Sequence, residues 1–577
     1  MVWSGDAFQE LDMAASMEVM PNGEFDYVVV GAGSAGCVAA ARLSESGKYR
    51  VALLEAGGED NSFWIHTPIG FGKLYEDPEF NWLYESEPEP ELEGARVFQP
   101  RGKVLGGSGS INGMVYTRGQ HDDFDHWRKL GNPGWGYDDV LPYFKKAEDN
   151  EGGANAYRAL GGPLRISDAP KHELVDAFIA AGIQAGYPRN EDFNGAHEEG
   201  FGYNQLTTRR GRRWSTADGY LHPARKRSNL QVITKAFGAR ILFKNGEAVG
   251  VEFKKDGATR AVLARCEVIL SLGAFNSPQL LQLSGVGPAS LMRKMDVPVV
   301  VDLPGVGANL QDHFGPAMVY RCTRPITMSD VMNNPVRRIA TGLQYILFHK
   351  GLMTTNASFG AACIRTDSAL PGSDIRLKLA LWGRAAAGRS TARKNRLGLL
   401  PFSSFSVLMA LQHPESRGSV RIKSPDPSAP PAIQFNYLAA PGDRLTCLKA
   451  MHIIRRVMSM PAMTPYVSEE ITPGPQTASD AALIEFCRQR GRSTLHASCT
   501  CKMGTDDMAV VDARLRVRGV RRLRVMDASI MPRIVGSNPN AAVIMIAEKG
   551  SAMVLEDAEV APARHVPAAP RAAALSR

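Results

Sequence analysis

Nowhere in the 577 residues do 18 apolar side chains follow one another, so no helical membrane span is expected. Residues 1–22 lack the basic start and unbroken apolar core of a secretory signal, and a cytoplasmic protein is the expectation. Met13, Met17 and Met20 offer later starting points for the chain. Cysteine is sparse and unpatterned. Of eight, only Cys499 and Cys501 are close, with no second pair and no His-x-His nearby, so bystander thiols are expected and a bound metal is not. No nucleic-acid-binding module accompanies the modest net charge of +8. The charges fall in runs: Arg209, Arg210, Arg212 and Arg213; Arg389, Arg393, Lys394 and Arg396; and Glu85, Glu87, Glu89, Glu91 and Glu93. All three runs are expected as solvated loops. No internal repeat is present.

What the sequence does have is a dinucleotide fingerprint. Residues 25–30 are a short β-branched and aromatic run, the pattern of a buried parallel strand. Gly31-Ala-Gly33-Ser34-Ala35-Gly36 follows, then an alanine-rich helical stretch to Ser46 closed by Gly47, then a second strand from Tyr49 to Leu54. Alone, G-x-G-x-x-G is a weak signal. Between a strand and a helix, with Glu55 standing 24 residues after Gly31, it is a strong one. Gly31 permits the tight turn, Gly33 lets the main chain approach a pyrophosphate, and Gly36 lets helix and strand pack closely. Ser34 and Ala35 open the helix, whose free N–H groups and positive dipole end face phosphates. Glu55, followed by Ala56, is placed to accept from ribose hydroxyls. The fingerprint does not separate FAD from NAD.

Further along, 124–130, 138–148, 278–283 and 442–458 read as helices. Residues 230–253 read as antiparallel strands around Asn245-Gly246, and 268–272 as a buried strand. Five prolines between Gly57 and Gly119 predict a long excursion of loops. Residues 383–398 read as a loop, and 1–23 and 557–577 are expected to be disordered.

Three further segments carry a resemblance. They are Gly102-Lys-Val-Leu-Gly106-Gly107-Ser-Gly109-Ser-Ile111-Asn112; Gly273-Ala-Phe-Asn-Ser-Pro-Gln-Leu-Leu-Gln-Leu-Ser-Gly-Val-Gly287; and His496-Ala-Ser-Cys-Thr-Cys-Lys-Met-Gly504 with Val525-Met-Asp527-Ala528-Ser-Ile-Met-Pro532 and Ser537-Asn538-Pro539-Asn540. In that order, with the fingerprint, they resemble the glucose–methanol–choline (GMC) oxidoreductases from about residue 25 to 556. The resemblance implies an α/β architecture: a Rossmann-like FAD domain built from discontinuous segments (24–165, 220–315 and 500–556) and an α+β substrate domain (166–219 and 316–499) whose sheet roofs the flavin. It implies FAD as cofactor, with Gly106, Gly107 and Asn112 against the flavin and Gly113 and Val115 in the same lining. Asp527 and Ala528 would meet the pyrophosphate and ribityl chain, and Asn538, Pro539 and Asn540 would open a helix at the pyrimidine end. Members that bind FAD covalently carry histidine where Ile111 stands, so a non-covalent cofactor is expected. Gly109 replaces a frequent serine, and Ala497-Ser498-Cys499 replaces the Pro-x-Gly common after the histidine.

The same resemblance assigns the chemistry. Alcohol oxidation removes a hydroxyl proton and a hydride, and the flavin takes the hydride. An imidazole suits the proton, whereas an amide holds the oxygen without accepting a proton. His496 matches the catalytic histidine and Asn538 its partner. His313 is expected to close the FAD domain structurally, and His413 to belong to the substrate domain. Trp64-Ile65-His66, Asn81-Trp82 and residues 113–119 look most like bacterial members acting on aliphatic, aromatic, polyether or choline-like alcohols, the choline dehydrogenase-like members among them. The expectation is oxidation of a small alcohol to the aldehyde, with electrons passed to a quinone-type acceptor or oxygen. Peripheral contact with the inner membrane through the basic clusters would suit a quinone. A peroxide-forming oxidase, or a non-oxidising lyase or photodecarboxylase, are the alternatives. Choline is disfavoured because a quaternary ammonium wants an aromatic cage or a carboxylate. The expected pocket segment, residues 402–409, has aromatics and no acid.

Overall fold

The computed structural model describes residues 18–384 and 398–560. The fingerprint run becomes the strand Glu18–Val30, parallel to Val51–Leu54, with the helix Ser34–Leu43 between them. Every residue of Val51–Leu54 is buried, as a strand covered on both faces requires. The sheet runs Leu230–Ile233, Val51–Leu54, Glu18–Val30, Ala258–Leu270, Glu247–Lys255 and Phe237–Lys244, with Leu523–Val525 beside the end of Ala258–Leu270. The hairpin turns at Asn245-Gly246, where φ is +52° and +73°, values that asparagine and glycine tolerate. The helix Asn540–Val560 lies against Ser34–Leu43. Arg42 crosses between them to the fully buried Glu548 at 2.8 Å, and the Tyr220 hydroxyl donates to the same carboxylate.

A second sheet is antiparallel throughout: Val467–Thr472, Ala317–Cys322, Ser404–Leu411, Ile375–Ala380, Gly360–Ile364 and Gly200–Tyr203. Strand alternation divides its faces. Leu377 and Leu379 join the core beneath the helices Glu173–Gln184 and Pro441–Met458. Arg376 and Lys378 alternate with them, and Lys378 borders the cavity under the sheet.

Several expectations change. The first strand begins at Glu18, within the stretch expected to be disordered, because Glu18 and Val19 pair with Arg260 and Ala261. The last helix continues to Val560, past the expected start of the tail at 557, held by Asp557 on Arg524 and Arg514. Leu230–Ile233 is parallel to Val51–Leu54, so only the strands on either side of Asn245-Gly246 are antiparallel. The acidic run is not wholly a solvated loop: buried Glu89 accepts from the Phe435 and Asn436 amides at 2.9 and 2.7 Å. The second basic run, most of the 383–398 loop and residues 1–17 and 561–577 lie outside the described residues. Among the described residues, no helix is long and apolar enough to cross a membrane.

Candidate active site

Between the two sheets lies a cavity of about 400 Å³. Gly31, Gly33, Ser34, Ala35, Glu55, Ala56, Gly107, Asn112, Gly113, Val115, Asp527, Ala528, Pro539 and Asn540 border it, as do His496 and Asn538. Gly36 and Gly106 lie behind the wall. A Cβ on Gly36 would stand 1.8 Å from the Gly31 carbonyl oxygen, so glycine there is what lets helix meet strand. Gly106 donates its N–H to the Ala32 carbonyl at 2.8 Å. Gly107 (φ +54°) would place a Cβ 2.6 Å from the Gly33 Cα, so the two glycine loops sit back to back. A Cβ on Gly33 would meet only the Ser271 carbonyl, at 3.7 Å. The space beside Gly33 is free for a ligand.

Glu55 accepts from the Ala32 and Gly57 amides at 2.8 Å each, leaving a further lone pair on each oxygen for hydroxyl donors. Burial pushes its carboxyl up to about 7 against those two hydrogen bonds. Ser34 Oγ donates to Asn540 Oδ1 at 2.6 Å, tying together the N-termini of two helices. The Asp527 carboxylate accepts from the Gly273 amide at 2.8 Å, Ser277 Oγ at 2.6 Å and the Ser529 amide at 2.8 Å, so it braces the start of Gly273–Leu283. Arg213, expected in a solvated run, is 1% exposed. It donates to the Asn112 side chain and carbonyl at 2.8 and 2.7 Å and to the Ile65 carbonyl at 2.8 Å, clamping the glycine-rich loop. Arg209, Arg210 and Arg212 remain exposed. Ile111 packs with Ile65, Leu74, Phe80 and Val104.

At the other end stands His496. His313 Nε2 lies 2.9 Å from the Gln412 carbonyl oxygen, which only accepts, so that nitrogen carries the proton and His313 Nδ1 is an acceptor. His496 Nδ1 lies 2.8 Å from that acceptor and 2.9 Å from Thr494 Oγ1, whose own proton goes to the His313 carbonyl. His496 therefore carries its proton on Nδ1, and its Nε2 lone pair faces Asn538 Nδ2 at 2.9 Å. Burial holds the imidazole well below 6.5, with Lys378 the leading nearby positive charge and Arg101 and Arg376 behind it. Burial likewise pushes His313 down to about 3. Both rings are neutral. His313 thus orients the His496 ring, a contact that its sequence neighbours Gln311 and Asp312 do not reveal. His413 sits with Asp123 at 2.6 Å, and Asp123 accepts from the Gly536 amide just before Asn538.

The expected pocket wall is corrected in part. Leu408 and Met409 border the cavity, but Phe405 stacks on Tyr320 inside the core and Phe402 lies under Arg321. The aromatics on the wall are Phe71, Tyr75, Trp82, Phe275 and Trp382. Away from the cavity, Asp60, Asp218 and His222 bring ligand atoms within 4.8 Å of one another, and His222 pairs with Asp60 at 3.0 Å.

The residues fit FAD. The glycine cradle leaves open the volume that side chains would fill, and Ser271 Oγ and Asn538 Oδ1 are buried without a partner in contact, both in residues that border the cavity. The GMC oxidoreductase N- and C-terminal family models match residues 25–315 and 414–547. The oxygen-dependent choline dehydrogenase of Vibrio vulnificus is 42% identical over 94% of this chain and 96% of its own length. Pyridoxine 4-oxidase from Mesorbium loti superposes with a TM-score of 0.83 at 31% identity, covering 92% of this chain and 99% of its own. An FAD-dependent oxidoreductase from Chaetomium thermophilum superposes with a TM-score of 0.83 at 25% identity, over 93% and 100%. The fingerprint, the glycine cradle and the match of both family models together establish that the chain belongs to the GMC oxidoreductase family, as an FAD-binding oxidoreductase acting on CH–OH donors.

Proposed function

We propose that the protein oxidises a small primary alcohol to the aldehyde, with His496 as base and Asn538 as orienter, and passes the electrons to a quinone-type acceptor in preference to oxygen. The observation that carries this is the pairing of His496 Nε2 with Asn538 Nδ2 at 2.9 Å while Nδ1 is tied to His313. Bound FAD supplies a hydride acceptor for the carbinol carbon. The residues do the rest. The substrate hydroxyl donates to His496 Nε2, which takes its proton as the C–H bond gives up the hydride. Asn538 Nδ2 donates to the substrate oxygen as it becomes a carbonyl. His313 and Thr494 accept from Nδ1 throughout, so the ring keeps the tautomer that leaves Nε2 basic.

The basic side chains bordering the cavity nearest His496 are Arg101, a cation, and Lys378, which burial pushes down to about 7 so that it adds its charge on the acidic side. Asp312 is close, but it is off the cavity wall and accepts from the Tyr437 hydroxyl and the His496 amide. Aromatic side chains on the wall could hold a quaternary ammonium, but it would meet the like charge of Arg101 there and find no free carboxylate, so a neutral or weakly polar alcohol is the better fit. Choline, named for several relatives, is the alcohol to test against it.

The test is anaerobic addition of a panel of aliphatic and benzylic alcohols and choline to the holoenzyme. A simple primary alcohol should bleach the flavin. His496→Ala should slow that bleaching at least about a hundredfold at unchanged FAD content. Bleaching by no alcohol, or equal rates in the variant, overturns the reading. Choline outpacing the neutral alcohols overturns the substrate class, and in a parallel aerobic assay with a dye acceptor, peroxide formed as fast as dye is reduced overturns the acceptor.

A further inference from the structure

The helix Pro335–Phe348 turns its apolar side to the solvent. Its buried anchor is Tyr345, 2% exposed, which packs beside Phe63. Val336, Ile339, Leu343, Ile346, Leu347 and Phe348 are 74%, 63%, 52%, 61%, 65% and 65% exposed. At helical spacing the first five fall within an arc of about 100°, on the side away from Tyr345. Phe63, 52% exposed, stands beside Tyr345 on the neighbouring segment. Contiguous exposure of this kind marks an interaction surface, whereas scattered single residues do not.

The helix and the chain flanking it carry one sign of charge. No acidic residue occurs between Asp330 and Asp367, whereas Arg337, Arg338 and Lys350 do. The hairpin Thr208–Arg213 abuts the helix end, where a Cβ on Gly211 would stand 2.2 Å from the His349 carbonyl oxygen. It adds the exposed Arg210 and Arg212. A second copy docking on the same face about a two-fold axis would set these cations against themselves. The stretch 385–397 carries Arg389, Arg393, Lys394 and Arg396 and no acid, so its charge does not complement these cations either. An apolar stripe flanked by cations matches an anionic lipid surface.

We propose that this face docks on an anionic phospholipid bilayer, with the stripe of Pro335–Phe348 among the acyl chains and the flanking cations at the headgroups. The docking stands independently of the alcohol reading. If both hold, a lipid-soluble acceptor reaches the protein on the side of Phe63–Leu74, the segment whose Phe71 borders the cavity.

The experiment floats the full-length holoenzyme with phosphatidylcholine vesicles, with and without phosphatidylglycerol. Wild type should float with the anionic vesicles and far less with the neutral ones, and added salt should weaken the binding. Ile339→Asp with Ile346→Asp should lower partitioning at least about tenfold, since it puts charge into the acyl region. Arg337→Gln and Arg338→Gln should lower it about fivefold each. Because the four side chains are solvent-exposed, melting temperature and turnover of a soluble alcohol should be unchanged. Wild type failing to float, or the double aspartate variant floating as wild type does, overturns the proposal. So does a dimer in solution that the same double variant splits, because the face would then belong to a second copy.

Discussion

At residue scale the question is which nitrogen of His496 works, and neighbours far away in sequence decide it. His313 is 183 positions away, yet its Nδ1 fixes the tautomer. Lys378, bordering the same cavity, supplies the leading positive charge against protonation of His496. Burial pushes Lys378 itself down to about 7, so it is charged in the acidic range where His496 titrates. The sign of its effect follows. A cation near imidazole disfavours the imidazolium and lowers the pKa; removing the cation raises it. Wild type should therefore keep its base competent throughout pH 7 and above, with the acidic limb of kcat/KM below the ordinary histidine value of about 6.5. Lys378→Met should move that limb to higher pH. Asp312, Arg101, Arg376 and His313 remain in both proteins. A pH profile of kcat/KM for a neutral alcohol makes the comparison, and a limb that stays put or moves down refutes this electrostatic account. That His496 and Asn538 stand together at the cavity was legible in the sequence because short motifs surround them. His313, Lys378 and Arg213 were not, because each acts through contacts that no local pattern encodes.

The elements show the same division. The strand, turn and helix of the fingerprint were readable because their signals are local: buried apolar runs, glycines at fixed offsets and an acid at the second strand end. The antiparallel sheet was not. Gly200–Tyr203 pairs with Gly360–Ile364 across more than 150 residues, and Gly360–Ile364 is buried at every position, so it shows no alternation to read. The readable part makes a sharp prediction. Gly33→Ala adds a methyl whose only close neighbour, at 3.7 Å, is in ordinary contact, so the apoprotein should fold normally. That methyl enters the ligand's space, and FAD content should fall at least about tenfold. Gly36→Ala forces a Cβ to 1.8 Å from a carbonyl oxygen of the strand turn, beyond the ~1–3 kcal/mol of ordinary overpacking. It should abolish soluble expression or lower the apoprotein melting temperature steeply. Thermal melts of both apoproteins decide the matter: a stable Gly36→Ala or an unstable Gly33→Ala would mean that the glycine roles are reversed.

For the whole molecule, the cavity wall is the joint. Its lining comes from the fingerprint turn, the Arg101–Val115 loop, the Ser271–Asn276 turn, the second sheet at Lys378 and Leu408, and the segments around His496 and Asp527. A ligand filling it contacts both sheets at once, so its binding energy should stabilise both together. Saturating FAD at about a hundred times its dissociation constant adds ~2.7 kcal/mol to the native state. Two probes can report whether the halves respond as one. Trp82 lies on the loop side of the wall and Trp382 follows a strand of the second sheet. In single-tryptophan reporters for each position, FAD should raise both fluorescence transitions by the same increment and bring them into coincidence. A shift at Trp82 alone would mean that the second sheet is not coupled to the cofactor. The same unfolding should also set the cofactor free. Ile111 is packed in an apolar cluster and offers no nucleophile, so acid precipitation should leave the yellow colour in the supernatant. Flavin that pellets with the polypeptide would require a covalent bond from some other side chain.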